Sequence, residues 1–251
     1  ADRMLDMGFQ DDINKIIQTL PAKRQNLLFS ATMPEKIRQL AKKILHEPVE
    51  INIAISKPPE KIIQKAFVVY EPQKVPLIKK LLKETPYKNA LIFCSRKQTV
   101  KQLTRELKQG GFTIAEIHSD LEQNERESVL SAFTAGRIPV LVATDILSRG
   151  IDIDTIDVVI NYDVPGDGED YVHRIGRTAR AEADGAAFTL IGEREQNKFA
   201  AIEQLLGKQV EKAEVPQELG ETPSYHPRMR SVNSGNRGPK RKFYRGAPRR
   251  K

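Results

Sequence analysis

From residue 64 to residue 207 the sequence alternates short β-branched runs with segments of helical pattern, and few folds accept that alternation. The runs are "QKAFVVY", "NALIFCS", "TIAEIH", "PVLVAT", "DVVINY" and "AAFTLIG". Helical patterns separate most of them, near 73–84, 97–109, 122–135 and 169–176, and a last one follows near 194–206. Strands this apolar are buried on both faces, and a strand that returns parallel to its predecessor needs a crossover, usually a helix. The pattern predicts an α/β domain, a parallel sheet with helices on both faces. In such sheets ligands gather outside the carboxyl ends of the strands, so residues that follow a strand are the first candidates for chemistry.

Residues 1–54 carry a shorter pattern. Leu5, Phe9, Ile13, Ile16, Ile17 and Leu20 form one apolar stripe, which predicts a helix over 3–20. "NLLFSAT" predicts a buried strand ending at Ser30-Ala31-Thr32, and "VEINIAI" predicts another. Between them "MPEKIRQLAKKIL" predicts a helix with Pro34 near its first turn, where a missing N–H costs little. "SKPPEK" is a stiff polar connector, and the expected linker between the two domains is 55–63.

Charge is unevenly placed. The net charge is +8, yet ten Lys and Arg and no acid lie between Tyr225 and Lys251, leaving 31 basic and 33 acidic residues in 1–224. Residues 208–251, rich in Gly, Pro, Ser, Asn and Arg, lack the apolar surface to offset ordering entropy, which predicts a disordered basic tail. With Tyr225, Phe243 and Tyr244 interleaved, it suits single-stranded nucleic acid; a merely solubilising tail is the alternative. No apolar run approaches the ~18–20 residues that span a bilayer. Cys94 is the only cysteine, which gives no disulfide framework and makes a reducing, cytoplasmic setting the default.

Two stretches follow strands. "VATDILSRGIDID" comes after the run at 139–143, and "YVHRIGRTAR" (171–180) lies on the helix after "DVVINY" and the turn beyond it. The second packs His173, Arg174, Arg177 and Arg180 around Gly176. On a continuous helix His173, Arg177 and Arg180 share one face, so Arg177 and Arg180 can present two guanidinium forks to one phosphate. A charge run is more often a solvated face. Against that reading stand Gly176, which costs a helix interior about 1 kcal/mol, the position after a strand of a parallel sheet, and Asp145 and Asp152 in the neighbouring strand-end loop.

Taken together, "RMLDMGF", "SAT", "ATDILSRGID" and "HRIGRTAR" stand in the order and at about the spacing of the DEAD-box RNA helicases. The chain resembles that family over roughly residues 1–207, and in detail its bacterial RhlE-like members. The resemblance implies a RecA-like second domain over 64–207, preceded in 1–54 by a remnant of a first RecA-like domain. Ala1-Asp2 resemble the last two letters of the Asp-Glu-Ala-Asp box. The magnesium-handling Asp and Glu, and the Gly-rich phosphate loop, are then expected before Ala1; no G-x-x-x-x-G-K-[ST] occurs in the sequence.

By the same resemblance Arg177 and Arg180 are arginine fingers directed at the γ-phosphate of ATP, and Asp152 holds the ribose with Gly150 beside it. His173 bridges to Asp2 of the acidic box and to Ser30 and Thr32, coupling the ATP state to domain closure. Thr144 and Arg149 contact RNA phosphates, Gln123 and Arg126 match a Gln-x-x-Arg element near the RNA strand, and Arg96 and Lys97 lie on the RNA path. The implied cofactors are ATP and Mg2+, with no metal ligand set inside this chain. The implied partner is RNA, bound through sugar and phosphate without sequence preference but with sensitivity to the 2′-hydroxyl. The implied function is ATP-dependent remodelling of RNA duplexes across the cleft between two RecA-like domains, with this chain alone RNA-binding but not ATPase-competent. A non-catalytic RNA-binding module and a DNA helicase stay open as alternatives.

The pattern departs from the family at Ala179, where a Gly is usual, at Ser119, the middle of a His-Gly-Asp, and at Arg96, where a small hydroxyl residue is common. Cys94 reads as a core hydrophobe and His46 as a helix-end cap or surface residue. His118 divides between packing and RNA contact.

Overall fold

The computed structural model describes residues 1, 4–5, 8–30, 33, 35–52, 62–145, 156–178 and 185–227. The chain divides into two compact units, Ala1–Ala54 and Ile55–Lys251.

The first unit holds helices α1 (Gln10–Thr19) and α2 (Glu35–Ile44). Helix α2 opens on Glu35 and closes on Lys42 and Lys43, charges that complement its dipole, and it buries Ile37 and Leu40. Helix α1 is shorter than the stripe predicts and buries none of its residues. The expected strand "NLLFSAT" does not form over its described residues 26–30, where Leu27 and Phe29 are 72% and 82% exposed. Val49 and Ile51 of the second expected strand are exposed as well. A strand needs a neighbour for the N–H and C=O groups it turns sideways, and the described residues of this unit offer none.

The second unit contains β1 (Ile62–Val68), α3 (Glu71–Glu84), β2 (Ala90–Phe93), α4 (Lys97–Gln109), β3 (Ile114–Ile117), α5 (Gln123–Thr134), β4 (Val140–Ala143), β5 (Val158–Asn161), α6 (Gly168–Ile175), β6 (Gly185–Ile191), α7 (Gln196–Leu206) and β7 (Glu211–Lys212). The strands form one sheet in the order β3-β4-β2-β5-β6-β1-β7, and every pairing is parallel. Leu77, Ile78 and Leu82 of α3 and Val100, Leu103 and Leu107 of α4 cover one face. Phe133 of α5, Tyr171 and Ile175 of α6, and Phe199 and Ile202 of α7 cover the other. Within β2 the side chains alternate between these layers, Ala90 and Ile92 in one and Leu91 and Phe93 in the other. Neighbouring β2 and β5 send their crossovers to opposite faces, through α4 and α6, which makes this pair a topological switch point.

The structure corrects the expected start of disorder at 208. Strand β7 pairs with β1, with Lys65 opposite Glu211 and Ala66 opposite Lys212. Val210 is buried, and Ala213, Val215, Leu219 and Tyr225 pack on the two core layers. These apolar residues are too widely and irregularly spaced to announce an element, yet each finds a place on the body. Residues 228–251 lie outside the described residues. Among the described residues no helix is long and apolar enough to cross a membrane.

Candidate functional site

At the carboxyl ends of β2 and β5 the chemistry is organised by one residue, Arg174, whose side chain has no exposed surface. Its Nε and Nη2 donate to the two oxygens of Asp145 at 2.7 and 2.9 Å, and Nη1 donates to Asn161 Oδ1 at 3.1 Å and to the Asp163 carbonyl at 3.3 Å. The guanidinium also stacks over Phe93, 5.2 Å from the ring centroid. A bidentate pair of this kind fixes both distance and plane. It ties the last turn of α6 to the residue after Thr144, a tie the sequence shows only as Asp145 lying in a nearby loop.

Helix α6 is set by its start. Asp167 caps it, accepting from the Asp170 N–H at 2.8 Å, and Glu169 and Asp170 place negative charge at its first turn. Gly168 lets the helix begin against α7, since a Cβ there would come within 2.8 Å of Leu205 Cδ2.

The helix ends at Ile175, which corrects the expectation that His173 and Arg177 share one helical face. The Gly176 N–H donates to the Val172 carbonyl at 2.7 Å, and a Cβ on Gly176 would approach that oxygen to 2.8 Å. Beyond it the Arg177 carbonyl accepts from the Ile156 N–H at 3.3 Å, and Thr178 forms a parallel bridge with Ile156. Ile156 precedes β5. The backbone of Arg177 therefore stands at the amino end of β5, not at a carboxyl end. His173 and Arg177 are both half-buried. Arg180, Asp152, Gly150 and Arg149 lie outside the described residues, as do Asp2 and Thr32. Ser30 is half-buried in the first unit.

A second group does stand at carboxyl ends. The Thr144 N–H donates to the Ile117 carbonyl at 3.2 Å, joining the ends of β4 and β3. After β3, His118 is buried, with Nδ1 accepting from the Asp120 N–H at 3.2 Å and Nε2 3.6 Å from Glu116. Its bond to the Asp120 N–H shapes the turn at 118–120. That turn collects cations: Arg126 Nη2 donates to the Ser119 carbonyl at 3.1 Å, and Lys97 and Lys101 donate to the Asp120 carboxylate at 2.7 and 2.9 Å. Hydrogen bonds from Lys97 and Lys101 hold the Asp120 carboxyl well below its ordinary range. Arg96 is exposed, just ahead of α4. Gln123 is exposed too, turned to Glu127 at 2.8 Å. Three polar atoms in this group are shielded from solvent without a hydrogen-bond partner, Thr144 Oγ1, Arg126 Nε and His118 Nε2.

Residues 73–182 match the family described as helicase conserved C-terminal domain, and residues 1–40 match that described as DEAD/DEAH box helicase. The ATP-dependent RNA helicase CshA of Listeria monocytogenes is 42% identical over 217 residues, 86% of this chain and 42% of that protein. The DEAD-box protein SrmB of E. coli, solved bound to the regulator of ribonuclease activity A, is 31% identical with a TM-score of 0.58, over 64% of this chain and 96% of that one. The chain belongs to the DEAD-box helicase family. S. cerevisiae Dbp5, solved bound to RNA and ADP BeF3, superposes on this DEAD-box chain with a TM-score of 0.74 at 32% identity, over 84% of this chain and 56% of that one. The chain spans about two-fifths of the length of the curated DEAD-box relatives it matches.

This DEAD-box domain also holds a buried cation that the sequence does not single out. Lys74, 1% exposed, reaches Glu71 at 3.0 Å, Glu195 at 3.5 Å and Asp163 at 3.8 Å, and lies 4.7 Å from the centre of the Tyr162 ring. Glu195 accepts from the Val164 and Gly192 N–H groups, Asp163 accepts from Ser95, and the Tyr162 hydroxyl donates to Glu71. The network sews the ends of β2, β5 and β6 together. In sequence Lys74 is one of many lysines in helical patterns, and only the topology reveals its partners. Cys94 is buried as expected of a core hydrophobe, and burial pushes its thiol up; His46 is exposed.

Proposed function

We propose that this chain supplies the second RecA-like half of an ATP-dependent RNA helicase, a protein that remodels or unwinds RNA duplexes in the cytoplasm. RNA lies over the carboxyl ends of β2, β4 and β3, held through its backbone by Thr144, Arg149, Arg126, Gln123, Arg96 and Lys97. The observation that carries this reading is unused hydrogen-bonding capacity among cations. Thr144 Oγ1 and Arg126 Nε have no partner, on elements joined through Ile117 and the turn that gathers Lys97 and Lys101. A buried polar atom without a partner is costly, and a phosphate or ribose hydroxyl is the group that cations and a hydroxyl together accommodate. Contacts of this kind give sequence-independent binding with sensitivity to the 2′-hydroxyl.

ATP, with Mg2+, supplies the phosphoryl transfer when it is bound. In this reading Asp152 and Gly150 hold the ribose, and Arg177 and Arg180 neutralise charge on the phosphates. The position of Arg177, beyond a helix end and a strand length from Thr144, supports separate sites for the nucleotide and the RNA. The basic tail adds RNA affinity, and the acidic residues that handle magnesium belong to the first domain.

RNA-stimulated ATP hydrolysis tests the reading, with a phosphate-loop-bearing RecA-like domain joined ahead of Ala1. Arg177→Ala is expected to lower turnover about 10³-fold or more while RNA binding persists. Turnover indifferent to the change would remove Arg177 from the finger role. RNA binding with no stimulated turnover would favour a plain binding module, and equal stimulation by DNA would favour a DNA helicase.

A further inference from the structure

Helix α4 carries a charge pattern that its own stability does not favour. At spacings of four, four and three, Lys97, Lys101, Arg105 and Lys108 form one exposed stripe along it. Lys97 opens the helix at the positive end of its dipole, no acid stands in the first turn, and Arg96 at the N-cap makes no capping hydrogen bond. Lys97 with Lys101, and Lys101 with Arg105, are like-charge pairs four residues apart, which weaken a helix. The single acid of the helix, Glu106, is half-buried and accepts from Gln102 at 3.0 Å. Helix α3 adds to the same face. Lys79 lies against the end of α4, where a Cβ on Gly110 would stand 3.3 Å from its Cε, and Lys83 is exposed one turn further along α3. Among the described residues Arg105, Lys108, Lys79 and Lys83 form no ion pair. Residues 1–224 hold 31 basic and 33 acidic residues, so this face is a local concentration of charge in a nearly neutral body.

We infer that the outer face of α4, with Lys79 and Lys83 of α3 beside it, is a second phosphate-binding track, which takes the RNA that runs beyond the nucleotides held at Thr144 and Arg126. The inference rests on the RNA reading given above. Continuity supports it first. Helix α4 joins two parallel strands, so it runs from the carboxyl end of β2 to the amino end of β3, and its stripe begins inside the RNA-binding group. Lys97 and Lys101 both donate to Asp120 in the turn after β3. From Lys97 to Lys108 the stripe is about 16 Å long, against which one strand of a duplex sets about five phosphates at ~3.4 Å each. Gln98, Gln102 and Gln109 lie exposed among the cations and add neutral donors for sugar and phosphate oxygens. The opposite route repels RNA. Helix α5 covers the other face of the sheet, and Glu122, Glu125 and Glu127 stand exposed at its start. An acidic polypeptide would also meet cations on α4, but it would have no reason to begin at the turn that gathers Arg126.

Equilibrium binding of the full chain to single-stranded RNA of two lengths tests the track. The ends of β2, β4 and β3 span about 10 Å, so an oligonucleotide of about 6 nucleotides fills the strand-end site and one of about 20 runs well past it. Arg105→Gln with Lys108→Gln is expected to weaken the longer RNA on the order of tenfold at ~0.15 M salt. Its salt slope should fall by about 1.4, two phosphates at ~0.7 each, while binding of the shorter RNA is unchanged. Lys23→Gln with Lys36→Gln, at exposed positions of the first unit, removes the same charge and is expected to leave both lengths unchanged. An equal loss in this control, or a longer RNA indifferent to Arg105→Gln with Lys108→Gln, overturns the track. Polyglutamate that binds the wild-type chain as tightly as the longer RNA, and loses as much in the variant, would assign the face to an acidic polypeptide and overturn it too. Lys97→Glu and Arg126→Glu are measured with both lengths. If these weaken both while the α4 variant is silent, the track fails alone. If they leave both unchanged, the RNA reading fails and the track falls with it.

Discussion

Two stretches of similar pattern end differently in this chain. Asn26-Leu27-Leu28-Phe29-Ser30 lies in the first unit, and Asn89-Ala90-Leu91-Ile92-Phe93-Cys94-Ser95 in the second. Both are apolar runs bracketed by Asn and Ser. The second contains β2, hydrogen-bonded to β4 on one side and to β5 on the other, and Phe93 has no exposed surface. The first forms no ladder among its described residues, and Phe29 stands largely in solvent. The local signal is the same, so it does not decide the outcome. A run of this kind states only that a residue suits a pleated, buried surface. Whether it becomes a strand depends on partners elsewhere in the chain.

Paired truncations break or sharpen that comparison. Phe93→Ala removes a ring packed in the core and beneath Arg174, and is expected to cost about 3–5 kcal/mol in denaturant unfolding. Phe29→Ala is expected to stay within about 0.5 kcal/mol, as for exposed positions generally. A comparable loss at Phe29 would show that residue to be packed against something, and the contrast between the two runs would disappear.

A smaller effect is expected at the strand ends, where the second unit joins its elements through ions. Asp145→Ala leaves the Arg174 guanidinium buried, with only Asn161 Oδ1 and the Asp163 carbonyl as acceptors. Removing one partner of a buried pair costs about 3–5 kcal/mol. Because two acceptors remain and Asp145 is itself 33% exposed, about 3 kcal/mol is the expectation. Asp145→Asn, which keeps one acceptor oxygen, should recover part of it. Unfolding midpoints that ignore both changes would mean that Arg174 is held by packing alone.

These residues also mark what the sequence could and could not disclose. The parallel sheet and its two helix layers follow from the alternation of runs, because a buried parallel strand leaves no freedom in its composition. Thr144, Arg126 and Lys97 are legible as a group once their strands are known to be neighbours. The expected shared face of His173 and Arg177 does not form, because a 3.6-residue period says nothing about where a helix stops. Gly176 is legible as a helix breaker, but the bridge from Thr178 to Ile156 is a pairing between positions far apart in the chain. The surroundings of Lys74 and of residues 208–227 are illegible for the same reason. Their partners, Glu195 and Asp163 for the one and Gln73 and Gln196 for the other, are fixed by topology and leave no local trace.

The Lys74 network gives the mildest break in the comparison, since it concerns a charge the second unit buries and the first does not need. Burial alone would lower the Lys74 pKa, but attraction to Glu195, a hydrogen bond to Glu71 and the charge of Asp163 outweigh it, and the value is raised above the ordinary 10.5. The folded state then holds this proton more tightly than the unfolded state. That contribution to stability is fully present below pH 10.5 and is lost as pH rises through the folded value. Tyr162, in contact with Lys74, is also raised, by burial first and then by its hydrogen bond to Glu71, so its contribution fades in the same alkaline direction above its ordinary 10.0. Urea midpoints should therefore be nearly flat from about pH 8 to pH 10 and fall beyond it, with Lys74→Met and Tyr162→Phe each making the fall shallower. If the alkaline limb keeps its steepness in both variants, the network does not hold its protons, and the ends of β2, β5 and β6 are joined by packing alone.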